Sequence, residues 1–374
     1  MREIKKPSFM QEAAGTKRHS ALGEMVIFIL LYAVAVIVES IGMVPALIAY
    51  FLQSPDAGRM LGTGNVDVEA LNHLLEQEPE WLVIYTLFTE ILLIGVYLFY
   101  CRIIEQRRFF TMGFHRKGMA SMYGKGLLIG AVMFGAAYFL CVLTGSVRMD
   151  GLNGNMIPVY IILYFGGYMI QGMAEEVICR GYLMVSLSRS YSVLYSAVLS
   201  SLVFMMMHFA NNGMTALSSI NLFLFGLFMA FLFIKSGNIW IVGAVHTIWN
   251  FMQGNVFGVS VSGLSEQNSI FSSTFYSGRD IINGGDFGME GGLAVTAVLV
   301  IAIMVVYRRL EKSKGESLSH DTEIRMSDTE SKKPSDVSDS PDTSGGSWKH
   351  ENEHRAQPTY KTVFHAGYFS EDDS

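Results

Sequence analysis

Eight runs of mostly apolar residues, each near the length that crosses a bilayer, limit this chain more than any other feature. They cover about Met25–Leu52, Trp81–Cys101, Gly126–Leu143, Ile157–Leu187, Val193–Phe209, Met214–Ile234, Ile239–Phe257 and Gly291–Tyr307. A helical span needs roughly 20 such residues. Inside hydrocarbon, a helix satisfies all its backbone groups within one segment. Only 16% of the residues are charged, against about a quarter in a soluble domain. The expected fold is therefore all-α: a polytopic membrane protein with about eight transmembrane helices and a disordered C-terminal tail.

The charges mark the boundaries. Residues 1–23 are polar and basic and read as a loose cytoplasmic tail. Residues 24–310 form the membrane domain, with Pro45 expected to kink the first span. An acidic loop, with Asp56, Asp67, Glu69, Glu76, Glu78 and Glu80, precedes the second span, and a basic loop, Arg102 to Lys125, follows it. Residues 258–290 read as a polar Ser/Gly-rich loop. Residues 311–374 are rich in Ser, Asp, Glu, Lys and Thr and hold few large apolar groups. Such a segment buries too little surface to offset its ordering entropy and reads as a disordered cytoplasmic tail. No cleavable signal is expected, because the first apolar run is too long for one. No internal repeat is visible.

With the N-terminus inside, the inner segments hold seventeen Lys and Arg, and the outer loops hold only Arg59, Arg148 and Arg279. That bias places a multi-pass protein in the cell membrane with both termini cytoplasmic. Cys101, Cys141 and Cys179 show no paired spacing, so neither a disulfide framework nor a zinc ribbon is expected. The partners implied are the lipid bilayer and a membrane-associated protein or peptide, with no nucleic acid.

An ionisable group at mid-bilayer costs roughly 2.5–3.5 kcal/mol on the insertion scale and needs a reason to be there. The span carboxylates are Glu39, Glu90, Glu175 and Glu176, the span histidines are His208 and His246, and the guanidinium is Arg180. Neighbours on a helix point about 100° apart, so Glu175 and Glu176 face different ways. Glu176 and Arg180, at i and i+4, can pair along one face, leaving Glu175 for a cavity. The alternative is a structural ion pair that orients two helices. His246 and Asn250 share a face by the same spacing. Alone, they could be only an interhelical hydrogen bond, and His208 only a helix-end histidine at the headgroups. Glu39 and Glu90 could stand behind a histidine or Arg180, or be protonated acids between helices.

Depth counting tests whether these groups can meet. From the turns at Arg189 and Gly237, a rise of about 1.5 Å per residue puts Glu175 and Asn250 about 20 Å up, His246 about 13 Å and His208 about 28 Å. His208 fits least well. Together the groups could activate water as general bases, or through a metal held by Glu175, His208 and His246. His246 or Asn250 could also stabilise an oxyanion. No HExxH motif is present, so a metal site would have to be assembled from separate helices.

Three motifs, Glu175-Glu176-xxx-Arg180, Phe204-xxx-His208 and His246-xxx-Asn250, occur in that order on separate predicted helices. Together with Gly181 and the lead-in Gly237-Asn238-Ile239-Trp240, they resemble the CPBP group: type II CAAX prenyl proteases and bacteriocin-processing enzymes, also called the Abi family. The resemblance covers about residues 157–257. It implies proteolysis at a membrane, with Glu175 and His208 activating water and His246 and Asn250 polarising the scissile carbonyl. Glu176 and Arg180 would support them. It leaves open whether zinc takes part, and it does not imply prenylated substrates. Two other functions compete. One is a non-catalytic scaffold or immunity protein that keeps the motifs for structure. The other is a secondary transporter using the glutamates as ion sites, which predicts paired broken helices, and no such pairing is visible.

Overall fold

The structure is a computed structural model describing residues 4–16, 19–54, 79–264 and 268–330. The segment that would hold most of the acidic loop, and the tail beyond Glu330, lie outside the described residues.

The chain is a helical membrane protein. Among the described residues, five helices are long and apolar enough to cross a membrane: α2 (Ala21–Gln53), α3 (Glu80–Ile104), α4 (Met119–Leu143), α7 (Ala216–Ser236) and the Leu293–Lys312 part of α9 (Leu293–Glu330). The expected count of eight is not reached on that measure. The three remaining helices are the ones that carry the motifs. These are α5 (Pro158–Glu176, continuing through a π-helical turn to Ser188), α6 (Val193–Met207) and α8 (Ile239–Phe251, extended by a second π-turn to Val256). At about 1.5 Å per residue, α6 reaches only about 22 Å, short of the roughly 30 Å hydrocarbon core.

Two other expectations change. Residues 1–23 are not wholly loose, because α1 (Ser8–Ala13) buries Phe9, Met10 and Ala13, with the Phe9 ring 4.9 Å from that of Phe233. Three apolar side chains on one turn suffice to dock a segment that reads as polar on average. The polar loop 258–290 also has structure. Its strand β2 (Phe271–Phe275) pairs antiparallel with β1 (Val147–Leu152), a small sheet that an all-α reading omits. Helix α2 runs through Pro45 without ending there.

Close backbone approach sets the centre of the bundle. Helix α8 packs against both α4 and α5. A Cβ at Gly130 of α4 would lie 2.7 Å from the Val245 carbonyl oxygen, and one at Gly126 would collide with that of Ile241. From the other side, a Cβ at Gly172 of α5 would lie 2.7 Å from the Thr247 nitrogen. Small residues let membrane helices come this close. Thr247 then bonds to both neighbours: its Oγ1 lies 3.0 Å from Tyr123 Oη and donates to the Tyr168 carbonyl at 3.1 Å.

Where α3 and α5 end, Arg189 reaches Glu24 at 3.0 Å and Glu105 at 2.8 Å, and Arg107 reaches Glu105 at 3.0 Å. Burial works against the Arg189 charge, but the two carboxylates raise its pKa above the ordinary value.

Candidate active site

Glu175 and Glu176 occupy the last turn of α5, just before the π-turn Val177–Met184. Such turns often mark functional sites, because they re-aim side chains within one helix. Glu176 is fully buried and its Oε1 accepts from Arg180 Nη1 at 2.8 Å. Arg180, also fully buried, donates from Nη2 to the Gly226 carbonyl at 3.0 Å and lies 4.7 Å over the Phe204 ring. Carboxylate, carbonyl and aromatic face together compensate a charge that would otherwise be costly in a dry interior. A Cβ at Gly226 would lie 3.2 Å from Arg180 Nη2, so the missing side chain makes room for the guanidinium.

His246, from α8, approaches the same carboxylate, with its Nδ1 3.0 Å from Glu176 Oε1. An ionised carboxylate only accepts, so this nitrogen carries the hydrogen and Nε2 of the neutral ring holds a lone pair. His208 caps α6, with its Nδ1 2.9 Å from the Phe204 carbonyl oxygen. The same reasoning leaves a lone pair on its Nε2. Both Nε2 atoms face Glu175 Oε2, at 3.8 Å for His246 and 3.9 Å for His208. That oxygen is buried and has no hydrogen-bond partner of its own.

Asn250 joins through an intermediary. Its Nδ2 donates to Gln171 Oε1 at 2.9 Å, and Gln171 Nε2 donates to Glu175 Oε1 in a short hydrogen bond. These groups line a cavity of about 630 Å³, which Glu39 of α2, Glu90 of α3 and Glu290 also face.

All six motif residues thus gather. Glu175, His208 and His246 converge, Asn250 connects through Gln171, and Glu176 and Arg180 lie behind. His208 arrives despite its depth count because residues 189–192 form the turn between α5 and α6 and add no rise. Gln171 was missed, although its place four residues before Glu175 puts it on the same helix face. Glu290 was missed because it lies in a segment without periodicity. Its Oε1 accepts from Trp249 Nε1 at 2.9 Å, and its Oε2 accepts from the Ser262 backbone nitrogen at 3.0 Å.

A carboxylate and two imidazoles are a donor set that zinc uses, and the carboxylate behind His246 is a usual support for such a ligand. The separations argue the other way. A tetrahedral zinc site has ligand–ligand edges of about 3.3 Å, shorter than the 3.8 and 3.9 Å found. Among the described residues, no group of three or more His, Cys, Asp or Glu side chains is gathered closely enough to hold a metal. As placed, the three side chains do not close around an ion.

The family model of type II CAAX prenyl endopeptidases, Rce1-like, matches residues 157–252. The match spans α5, α6, α7 and nearly all of α8, and it contains every motif residue. No curated protein matches the chain. With three motifs on three helices meeting at one cavity inside the matched segment, the match of residues 157–252 supports the Rce1-like, CPBP family of CAAX-type membrane proteases.

Proposed function

We propose that the chain is an intramembrane endopeptidase that hydrolyses peptide bonds of a membrane-associated protein or peptide, using water activated by Glu175 and His208. One observation carries the reading: Glu175 Oε2, a buried oxygen with no hydrogen-bond partner among the described residues, lies 3.8 Å from His246 Nε2 and 3.9 Å from His208 Nε2. Those separations are too long for direct hydrogen bonds, and a bridging water can donate to Glu175 Oε2 and to one imidazole.

The chemistry follows from that placement. Glu175, helped by His208, takes a proton from the water as its oxygen bonds to the scissile carbonyl carbon. The carbonyl electron pair moves onto oxygen. The second Nδ2–H of Asn250 donates to that oxyanion, as does His246 Nε2–H when the ring enters the cycle already protonated. When the carbon–nitrogen bond breaks, the leaving amine takes the proton that Glu175 gathered. Glu176 and Arg180 hold His246 in place. The seventeen-to-three division of Lys and Arg supports a cell-membrane location with both ends cytoplasmic.

The test uses the full chain in proteoliposomes with a farnesylated peptide ending in a CAAX sequence and with the same peptide unprenylated. Cleavage of at least one, read by mass spectrometry, is expected. Glu175→Gln and His208→Ala should each lower the rate by about 10²–10⁴-fold with an unchanged melting temperature. If neither peptide is cut, or if Glu175→Gln cuts normally, the proposal falls. Metal analysis of the same preparations settles the remaining choice. Stoichiometric zinc that disappears in His208→Ala would put an ion, held by Glu175, His208 and His246, where water is drawn here.

A further inference from the structure

Gln171 lies outside the three motifs, yet among the described residues it is the one side chain that hydrogen-bonds to both Glu175 and Asn250. It sits one turn before Glu175 on α5 and lines the cavity. The direction of its bonds is fixed by charge. An ionised carboxylate accepts and does not donate, so the amide nitrogen of Gln171 must face Glu175. Its carbonyl oxygen must then face Asn250, and Asn250 must present an N–H in return. Turning the Gln171 amide over would break both bonds at once. The chain Asn250–Gln171–Glu175 therefore has one orientation, set at the carboxylate end.

That orientation has two consequences. Glu175 Oε1 is occupied, so Oε2 is the oxygen left to face His208 and His246. Asn250 spends one N–H on Gln171 and keeps its second for a ligand, with the amide held from flipping. We infer that Gln171 is a positioning residue for peptide hydrolysis: it turns the free oxygen of Glu175 to the imidazoles and sets the Asn250 amide to donate to the oxyanion. The inference rests on the function proposed above.

The test compares Gln171→Met, which keeps length but loses both bonds, with Gln171→Glu, which keeps shape but loses the donor to Glu175. Both are assayed in proteoliposomes on the farnesylated and unprenylated CAAX peptides. In each variant kcat should fall by about 10–100-fold, the scale of a misplaced reacting group, with KM changed by less than about twofold. The Gln171→Met/Asn250→Ala double variant should lose clearly less than the product of the two single losses, because both changes break the shared Asn250–Gln171 bond. A purely packing role would lower the melting temperature and leave kcat per folded molecule intact. Gln171→Glu carries the test if Gln171→Met does not fold. Unaltered kcat in a folded variant, or losses that multiply in the double variant, would overturn the inference. Glu175→Gln in the same assay separates the two levels. If it is inactive while Gln171→Met is fully active, only the role of Gln171 is lost. If it is active, or if the unaltered chain cuts neither peptide, the underlying function is lost as well.

Discussion

The cavity has two unlike walls. Helices α5, α6 and α8 form one, where Gly172 brings two backbones together and the side chains of Gln171, Glu175, Glu176, Arg180, His208, His246 and Asn250 each have a hydrogen-bond partner. Helices α2 and α3 form the other, contributing Glu39 and Glu90. Only 22% of the most apolar stretch of α2 and 28% of that of α3 is buried, so most of the second wall faces away from the rest of the protein. Among the described residues, neither the Glu39 nor the Glu90 carboxylate accepts a hydrogen bond, whereas that of Glu176 has Arg180 and His246. The difference shows where position is held. Reacting groups sit on the close-packed wall, whose geometry survives only if every partner is present. The second wall encloses the cavity without fixing anything in it.

The largest stability effect should therefore come from the first wall. Arg180→Met leaves Glu176 charged and fully buried, with only His246 beside it. Breaking one side of a buried pair costs about 3–5 kcal/mol, measurable by equilibrium unfolding in mixed micelles. Adding Glu176→Gln should restore much of that loss, since no uncompensated carboxylate remains. A small effect of Arg180→Met alone would mean that this wall is no more exacting than the other.

Matched glycine substitutions sharpen the contrast. A Cβ at Gly172 would lie 2.7 Å from the Thr247 nitrogen and 3.1 Å from His246 Cβ, so Gly172→Ala must push α8 away. Overpacking of this kind costs about 1–3 kcal/mol, and the displaced His246 should lower peptide cleavage too. Gly95, on α3, has nothing within 4 Å of a built Cβ. There Gly95→Ala should stabilise by about 0.5–1 kcal/mol, the helix-propensity gain. Opposite signs for the same change on the two walls are the expected result, and equal signs would erase the distinction.

The sequence made the site more legible than the membrane topology. Spacing alone assigned Glu176 to Arg180 and turned Glu175 aside, because i,i+4 geometry is local and survives tertiary packing. It could not supply Gln171, because a glutamine on a membrane helix signals no chemistry until its neighbours across the bundle are known. Nor could it supply Glu290, whose segment is ordered by long-range bonds to Trp249 and Ser262. The count of eight spans is not confirmed for a related reason. Counting apolar residues treats every helix as facing lipid, whereas α5, α6 and α8 face one another and carry the polar residues, and α5 and α8 run on into π-turns. The docking of α1 was hidden because Phe9 and Met10 gain meaning only beside Phe233.

The smallest effect should come from Glu90→Gln. The carboxylate lines the cavity at the point where α3 is interrupted between Thr89 and Ile91, and it has no described partner to lose. An amide of the same shape should change stability by less than about 1 kcal/mol, the range of substitutions that break no network. Cleavage by Glu90→Gln should stay within about twofold of the unaltered chain, since a group without partners has nothing that fixes it against a reacting atom. The measurement is the proteoliposome peptide assay beside Glu175→Gln. Were Glu90→Gln to lose activity on the scale of Glu175→Gln, the second wall would also take part in the chemistry. The division between a wall that positions and a wall that encloses would then be wrong.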